Sequence, residues 1–169
     1  IDDIAGKPLN NTLVLEARAK EMEFVNAMKI WDVVDRPHGK KIIGTRWVDV
    51  NKQDENNPFY RCRLVAQEVK RYANAEFFKA TPPVETLRAL LICMAIGQVP
   101  DLSGKLQTWQ EPVICLQIDV SRAHFYAKAR REVHVELPPE AGYGKDKVGK
   151  LLCSMYGCRD AGVNWEMCI

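Results

Sequence analysis

Apolar residues recur at steps of three and four from Leu13 onward. Leu15, Ala19, Met22, Val25 and Met28 form the stripe, with Glu16, Lys20 and Glu23 between them. That period predicts a helix over 13–29. Residues 1–12 are polar and read as a leader segment, and Asn10, Asn11 or Thr12 can cap the helix. The apolar patch 31–34 predicts a strand, and Arg36-Pro37-His38-Gly39 a turn. Residues 42–50 read as a strand with Arg46, Val48 and Val50 on one side and Thr45, Trp47 and Asp49 on the other. A polar loop over 52–58 leads to a second strand over 59–67. There Arg61 and Arg63 share one face, and Cys62, Leu64 and Ala66 the other. Two strands joined by a short polar loop predict a hairpin.

Thr81-Pro82-Pro83 breaks the pattern and offers Thr81 as a cap. Behind it Leu87, Leu90, Leu91, Met94 and Ala95 make a helical stripe, which predicts a buried helix over 84–98. Residues 101–111 are polar and irregular and read as a loop. Residues 113–120 are dense in β-branched and apolar side chains and read as a central strand. A strand pair is expected at 132–137 and 148–153, and a helix from about Asp160 to the end of the sequence. The fold class expected from this mixture is α+β.

Nearly half the residues are apolar and 27% are charged, which excludes a disordered chain. The net charge of +2 is too small to argue for nucleic acid. Basic clusters at Lys40-Lys41, Arg61/Arg63, Lys70-Arg71 and Lys128/Arg130/Arg131 read first as solvated faces. The six cysteines have no CxxC or zinc spacing, and several lie inside apolar runs, so they read as reduced, buried thiols. The longest apolar run, 89–97, is too short to cross a bilayer. With no signal peptide pattern, an intracellular, cytoplasmic chain with no membrane partner is expected. Ile1 and Ile169 do not look like natural termini, so the sequence reads as a segment of something longer.

Asp119 closes the apolar strand, and a carboxylate there needs a partner. By itself it reads as the cap of a turn at Ser121. The order of motifs along the chain changes that weighting. Gly44-Thr45-Arg46-Trp47-Val48 comes first, followed by Tyr60-Arg61-Cys62-Arg63-Leu64-Val65-Ala66. Ala80-Thr81-Pro82-Pro83-Val84-Glu85-Thr86-Leu87-Arg88 and Leu116-Gln117-Ile118-Asp119-Val120 come next. Val133-His134-Val135-Glu136-Leu137-Pro138-Pro139, Lys150-Leu151-Leu152-Cys153-Ser154-Met155-Tyr156-Gly157 and Trp165 complete the series. From about Met22 to Trp165 this order resembles the reverse transcriptase domain of copia-type retrotransposons, a part of their Pol polyprotein.

The resemblance implies the fingers and partial palm of a right-hand polymerase, with 13–169 as the N-terminal part of the domain. The hairpin of 42–67 and the residues from about 130 onward would be fingers, and the helix 84–98 and Asp119 palm. It implies addition of dNTPs to a primer on an RNA or DNA template, by phosphoryl transfer with two Mg2+ ions. Asp119 matches the first catalytic metal-binding aspartate, beside the Val120 carbonyl. Arg61 and Arg63 match a basic strand that reaches the triphosphate. Tyr156 and Gly157 match a turn beside the incoming nucleotide, and Arg159 stands where a lysine is usual. His124 departs from the aromatic residue that packs under the sugar, Cys158 from a leucine and Gly162 from a proline.

The family's aromatic-x-Asp-Asp motif is absent from the 169 residues. One carboxylate cannot hold two ions, so this chain alone is expected to be inactive. The rival readings are a non-catalytic nucleic-acid-binding remnant, a metal or redox module on the cysteines, and an ordinary α+β domain with a structural Asp119.

Overall fold

Asn10 caps the first helix. Its side-chain oxygen accepts hydrogen bonds from the N–H groups of Thr12 and Leu13 at 3.0 and 3.4 Å, satisfying donors that a helix start leaves open. Helix α1 (Asn11–Ala27) follows in the computed structural model, which describes residues 1–68, 83–108 and 118–169. Its buried residues are Val14, Glu21, Met22 and Val25. The expected stripe holds at Met22 and Val25 and fails at Leu15 and Ala19, which are exposed. The reason is polar. Arg18 turns inward to the buried Asp49, and Val14, one turn earlier, comes with it.

The chain divides into two units, one of Ile1–Phe78 with Arg122–Ile169 and one of Lys79–Ser121. In the first unit, β1 (Trp31–Asp35) pairs antiparallel with β8 (Lys147–Leu151). Strand β8 pairs antiparallel with β7 (His134–Glu136), and β2 (Ile42–Ile43) joins β7 in parallel. The expected strand over 42–50 is therefore split. At Gly44 the chain leaves the four-stranded sheet, and β3 (Thr45–Asn51) pairs with β4 (Tyr60–Ala66) as the expected hairpin. The Gly44 carbonyl accepts from the Gln67 N–H at 2.8 Å, and the Gln67 side chain fills the space beside the glycine. Val48 lies opposite Arg63 and Val50 opposite Arg61.

Residues ahead of α1 lie along the outer edge of β3. The Asp3 N–H donates to the Asp49 carbonyl at 2.9 Å, and the Asp49 N–H donates to the Asp3 carboxylate at 2.8 Å. The Asn51 N–H donates to the Asp2 carboxylate at 2.7 Å. Hydrogen bonds from the N–H groups of Ala5, Asn51 and Ile4 hold the Asp2 carboxyl below its ordinary pKa. The core between α1, the hairpin and the four-stranded sheet includes Val25, Ile30, Leu64, Phe125, Val135 and Met155. The last helix, α3, is Ala161–Glu166, behind Asp160 as expected.

The second unit holds α2 (Val84–Ile96), ended by Gly97 at φ 67. The left-handed conformation suits glycine. No residue of α2 is buried, so the expectation of a buried helix fails. Leu87, Leu90 and Leu91 are exposed: within this unit the described residues besides α2 are a hairpin of three-residue strands and residues 118–121, too little to cover a helix face. That hairpin, β5 (Gln98–Pro100) with β6 (Leu106–Thr108), replaces the loop expected from residue 101. Asp101 organises its turn by accepting from Ser103, Lys105 and Gln107. Residues 118–120 have no regular structure. Thr81, Lys70, Arg71, Cys115 and the strand expected over 113–117 lie outside the described residues. No helix among the described residues is long and apolar enough to cross a membrane.

Candidate functional site

Strand β4 alternates as the sequence predicts, with Cys62, Leu64 and Ala66 buried, Arg61 exposed and Arg63 half-buried. From this strand the Arg63 guanidinium lies over the Tyr156 ring, 4.9 Å from its centroid. A cation so placed is attracted to the ring face, by about 0.5–1 kcal/mol at a partly exposed site.

The Tyr156 turn is fixed to the end of β4 at three points. The Ala66 N–H donates to the Tyr156 carbonyl at 2.7 Å. Gly157 has φ 83, and a Cβ there would stand 1.9 Å from the Ala66 carbonyl oxygen. Only glycine fits so close to another backbone. Farther on, the Arg159 N–H donates to the Glu68 carboxylate at 2.9 Å. From the other side two rings meet that of Tyr156 edge-on, an imidazole and a phenyl. His124 lies 5.0 Å away and Phe125 5.4 Å, centroid to centroid. Phe125 is fully buried, so the core itself holds the Tyr156 ring.

Arg63, His124, Tyr156 and Gly157 therefore converge at one corner. Arg61 shares the Arg63 face two residues away, and Arg159 joins through its main chain. Asp119 and Val120 are exposed and belong to the second unit. Among the described residues no group of three or more His, Cys, Asp or Glu side chains gathers to hold a metal ion. Asp119 brings one carboxylate and Val120 one carbonyl. That donor set does not amount to a two-ion centre.

Sequence reading missed the groups that brace the corner. Arg131 belongs to a basic cluster first read as solvated. It instead makes a forked pair with Glu68, at 2.9 and 2.5 Å, and reaches Asp160 at 2.9 Å. Burial works to raise the pKa of Glu68 and Asp160, but the Arg131 bonds outweigh it and hold both below the carboxylate range. Lys40, by contrast, is exposed as expected and pairs with Glu132 at the surface. The available signal was position: Glu68 follows a strand end and Asp160 precedes a helix.

The thiols fit their sequence reading in part. Cys62 and Cys158 are buried, and burial pushes both up to about 12, which makes them inert. Cys93 and Cys153 are half-buried and Cys168 is exposed.

The motif order now has an independent counterpart. A family model described as reverse transcriptase (RNA-dependent DNA polymerase) matches residues 28–169. The chain belongs to the reverse transcriptase family. It is similar to the Retrovirus-related Pol polyprotein from transposon TNT 1-94 of Nicotiana tabacum, at 25% identity over 171 residues. That match covers 99% of this chain and 12% of the polyprotein. It is also similar to the Transposon Ty1-BL Gag-Pol polyprotein of Saccharomyces cerevisiae, at 24% identity over 156 residues, covering 89% of this chain and 8% of that one. These are copia-type Pol polyproteins, as the motif order implied, and the chain spans about a tenth of their length. No solved structure matches the chain significantly.

Proposed function

We infer that this reverse transcriptase chain contributes fingers and part of the palm to an RNA-directed DNA polymerase, and that the Arg63–Tyr156–His124 corner receives the incoming dNTP. The observation that supports this most is the Arg63 guanidinium stacked on Tyr156 beside Gly157. The stack orients a planar fork of N–H donors, and such a fork matches phosphate oxygens two at a time. Arg61 adds positive charge on the same face of β4. His124, edge-on to Tyr156, would line the floor under the sugar.

On this reading the hairpin of β3 and β4 and the residues from about 130 onward are fingers. Helix α2 and Asp119 are palm. Asp119 and the Val120 carbonyl would contribute to a magnesium site whose other carboxylates come from outside these 169 residues. The residues described here bind and orient the nucleotide, and the chain by itself extends no primer. An RNA or DNA template–primer would be held through phosphate contacts.

The test uses the purified 169-residue chain. It is titrated with a labelled template–primer and then with dNTP, at low and at physiological salt. Binding should weaken steeply as salt rises, and Arg63→Ala should weaken the dNTP step. Primer extension by the chain alone would overturn the assignment of the missing carboxylates. Absence of any dNTP binding at low salt would overturn the corner.

A further inference from the structure

The corner just described depends on two chain segments far apart in sequence, β4 and the turn at residues 154–160. Their backbones meet at the Ala66 N–H and Tyr156 carbonyl, and what lies beyond that contact is ionic. Glu68 follows β4 and accepts both arms of the Arg131 guanidinium, and also the Arg159 N–H. Asp160 closes the turn and accepts from the same Arg131 nitrogen that bonds Glu68. The other Asp160 oxygen accepts from the Asn164 amide at 3.1 Å, and that amide also donates to Ser154 Oγ at 2.9 Å. The side chains of Glu68 and Asp160 are only 7% and 8% exposed, with Arg131 at 32%. The start of the turn at Ser154, its end at Asp160 and the end of β4 thus share one buried polar network.

We propose that the Glu68–Arg131–Asp160 triad is a positioning device for the nucleotide corner, holding the Tyr156–Gly157 turn in register with the Arg63 strand. The inference rests on the reading of the corner as a dNTP site. Two carboxylates this close repel each other and favour separation of the segments that carry them. Arg131 reverses that sign, because its planar fork binds Glu68 with two donors while one of them is shared with Asp160. The shared guanidinium therefore couples the strand end to the turn end. Stacking of Arg63 on Tyr156 depends on how the two segments are aligned, since one partner rides on each. None of the three residues reaches the nucleotide on this account.

The experiment compares the full 169-residue chain with its Glu68→Gln variant by amide hydrogen exchange and by dNTP titration. Loss of one charged hydrogen bond should speed exchange at the Ala66 and Arg159 amides by about tenfold. Exchange at Leu151, the last residue of β8, bonded to the Val133 carbonyl just ahead of β7, should stay unchanged. The dNTP affinity should fall by about tenfold with it. Unchanged exchange at Ala66 and Arg159 would overturn the proposal. So would a uniform rise at all three amides, which marks a group that only stabilises the fold. Local loosening with unaltered dNTP affinity would also overturn it. A wild-type chain that binds no dNTP would instead remove the corner reading itself, and the triad's role with it. If Glu68→Gln fails to fold, Asp160→Asn on the other arm is read by the same three amides and the same titration.

Discussion

The guanidinium of Arg63 lies over the ring of Tyr156, 4.9 Å from its centroid, although the two residues stand on different segments of the chain. The contact itself is worth about 0.5–1 kcal/mol, so Arg63→Ala should change stability little. Its expected effect is on ligand, with dNTP affinity down by about tenfold through loss of a charged hydrogen-bonding fork. Arg63→Lys should not restore it, because an ammonium has no fork. Tyr156→Phe should bind nearly as wild type, since Arg63 and His124 meet the ring and not the hydroxyl. Isothermal titration of the three variants measures this, and equal affinities for wild type and Arg63→Ala would refute it.

Gly157→Ala carries the opposite balance. A methyl group there meets the Ala66 carbonyl oxygen in a backbone conformation that already disfavours a side chain. The left-handed strain alone costs about 1–2 kcal/mol, and the collision adds to it. Urea unfolding should show a loss of about 2 kcal/mol or more. A variant as stable as wild type would mean that the turn does not press on β4.

Much of this was legible in the sequence, and the boundary has a physical form. Helix α1, the β3–β4 hairpin and the alternation of Arg61, Cys62, Arg63 and Leu64 follow from local periods of 3.6 and 2. Those periods say nothing about partners. The split at Gly44, the parallel pairing of Ile42 with His134 and the Arg131 triad are all contacts between distant segments. Leu15 failed for a related reason. Its helix face was set by the Arg18–Asp49 pair, which no apolar pattern records. Of the candidate site, motif order points to Arg63, Tyr156 and Gly157, whereas the pairing of Glu68 and Asp160 through Arg131 joins distant segments and leaves no mark in a local period.

Arg18 and Asp49 give a stability prediction. They pair at 2.6 Å with side chains 25% and 11% exposed, and Arg18 also stacks on Trp47. Arg18→Met keeps bulk against Trp47 but strips a buried carboxylate of its cation. The expected loss is about 3 kcal/mol, read from denaturant midpoints.

Acid should act on the same kind of group. Burial works against ionised Asp49, Glu68 and Asp160, but their arginine partners outweigh it and hold all three below the ordinary range. A depressed carboxyl contributes stability that is complete above its unfolded pKa, roughly 4. That contribution is lost as pH falls through the lower folded value. The urea midpoint should be level down to about pH 5 and drop steadily below about pH 4. A midpoint unchanged at pH 3 would contradict the assignment.

Thiol labelling offers a check on packing. Cys62 and Cys158, pushed up to about 12, have almost no thiolate at pH 8. Alkylation followed by peptide mass mapping should mark exposed Cys168 well before Cys62 and Cys158, which react only after denaturation. Early labelling of Cys62 would place the hairpin in a looser state than the one described.

The carboxylates of Asp2 and Asp3 along β3 bear on solubility. A strand edge normally offers its amides to any extended segment that drifts past, and that is how sheets of separate molecules fuse. Here the amides of Asp49 and Asn51 are already taken, and a newcomer meets two negative charges in their place. A copy shortened by its first nine residues would lose that guard and keep the Asn10 cap. It should be the form that sticks to itself as concentration rises, while the longer chain stays dispersed.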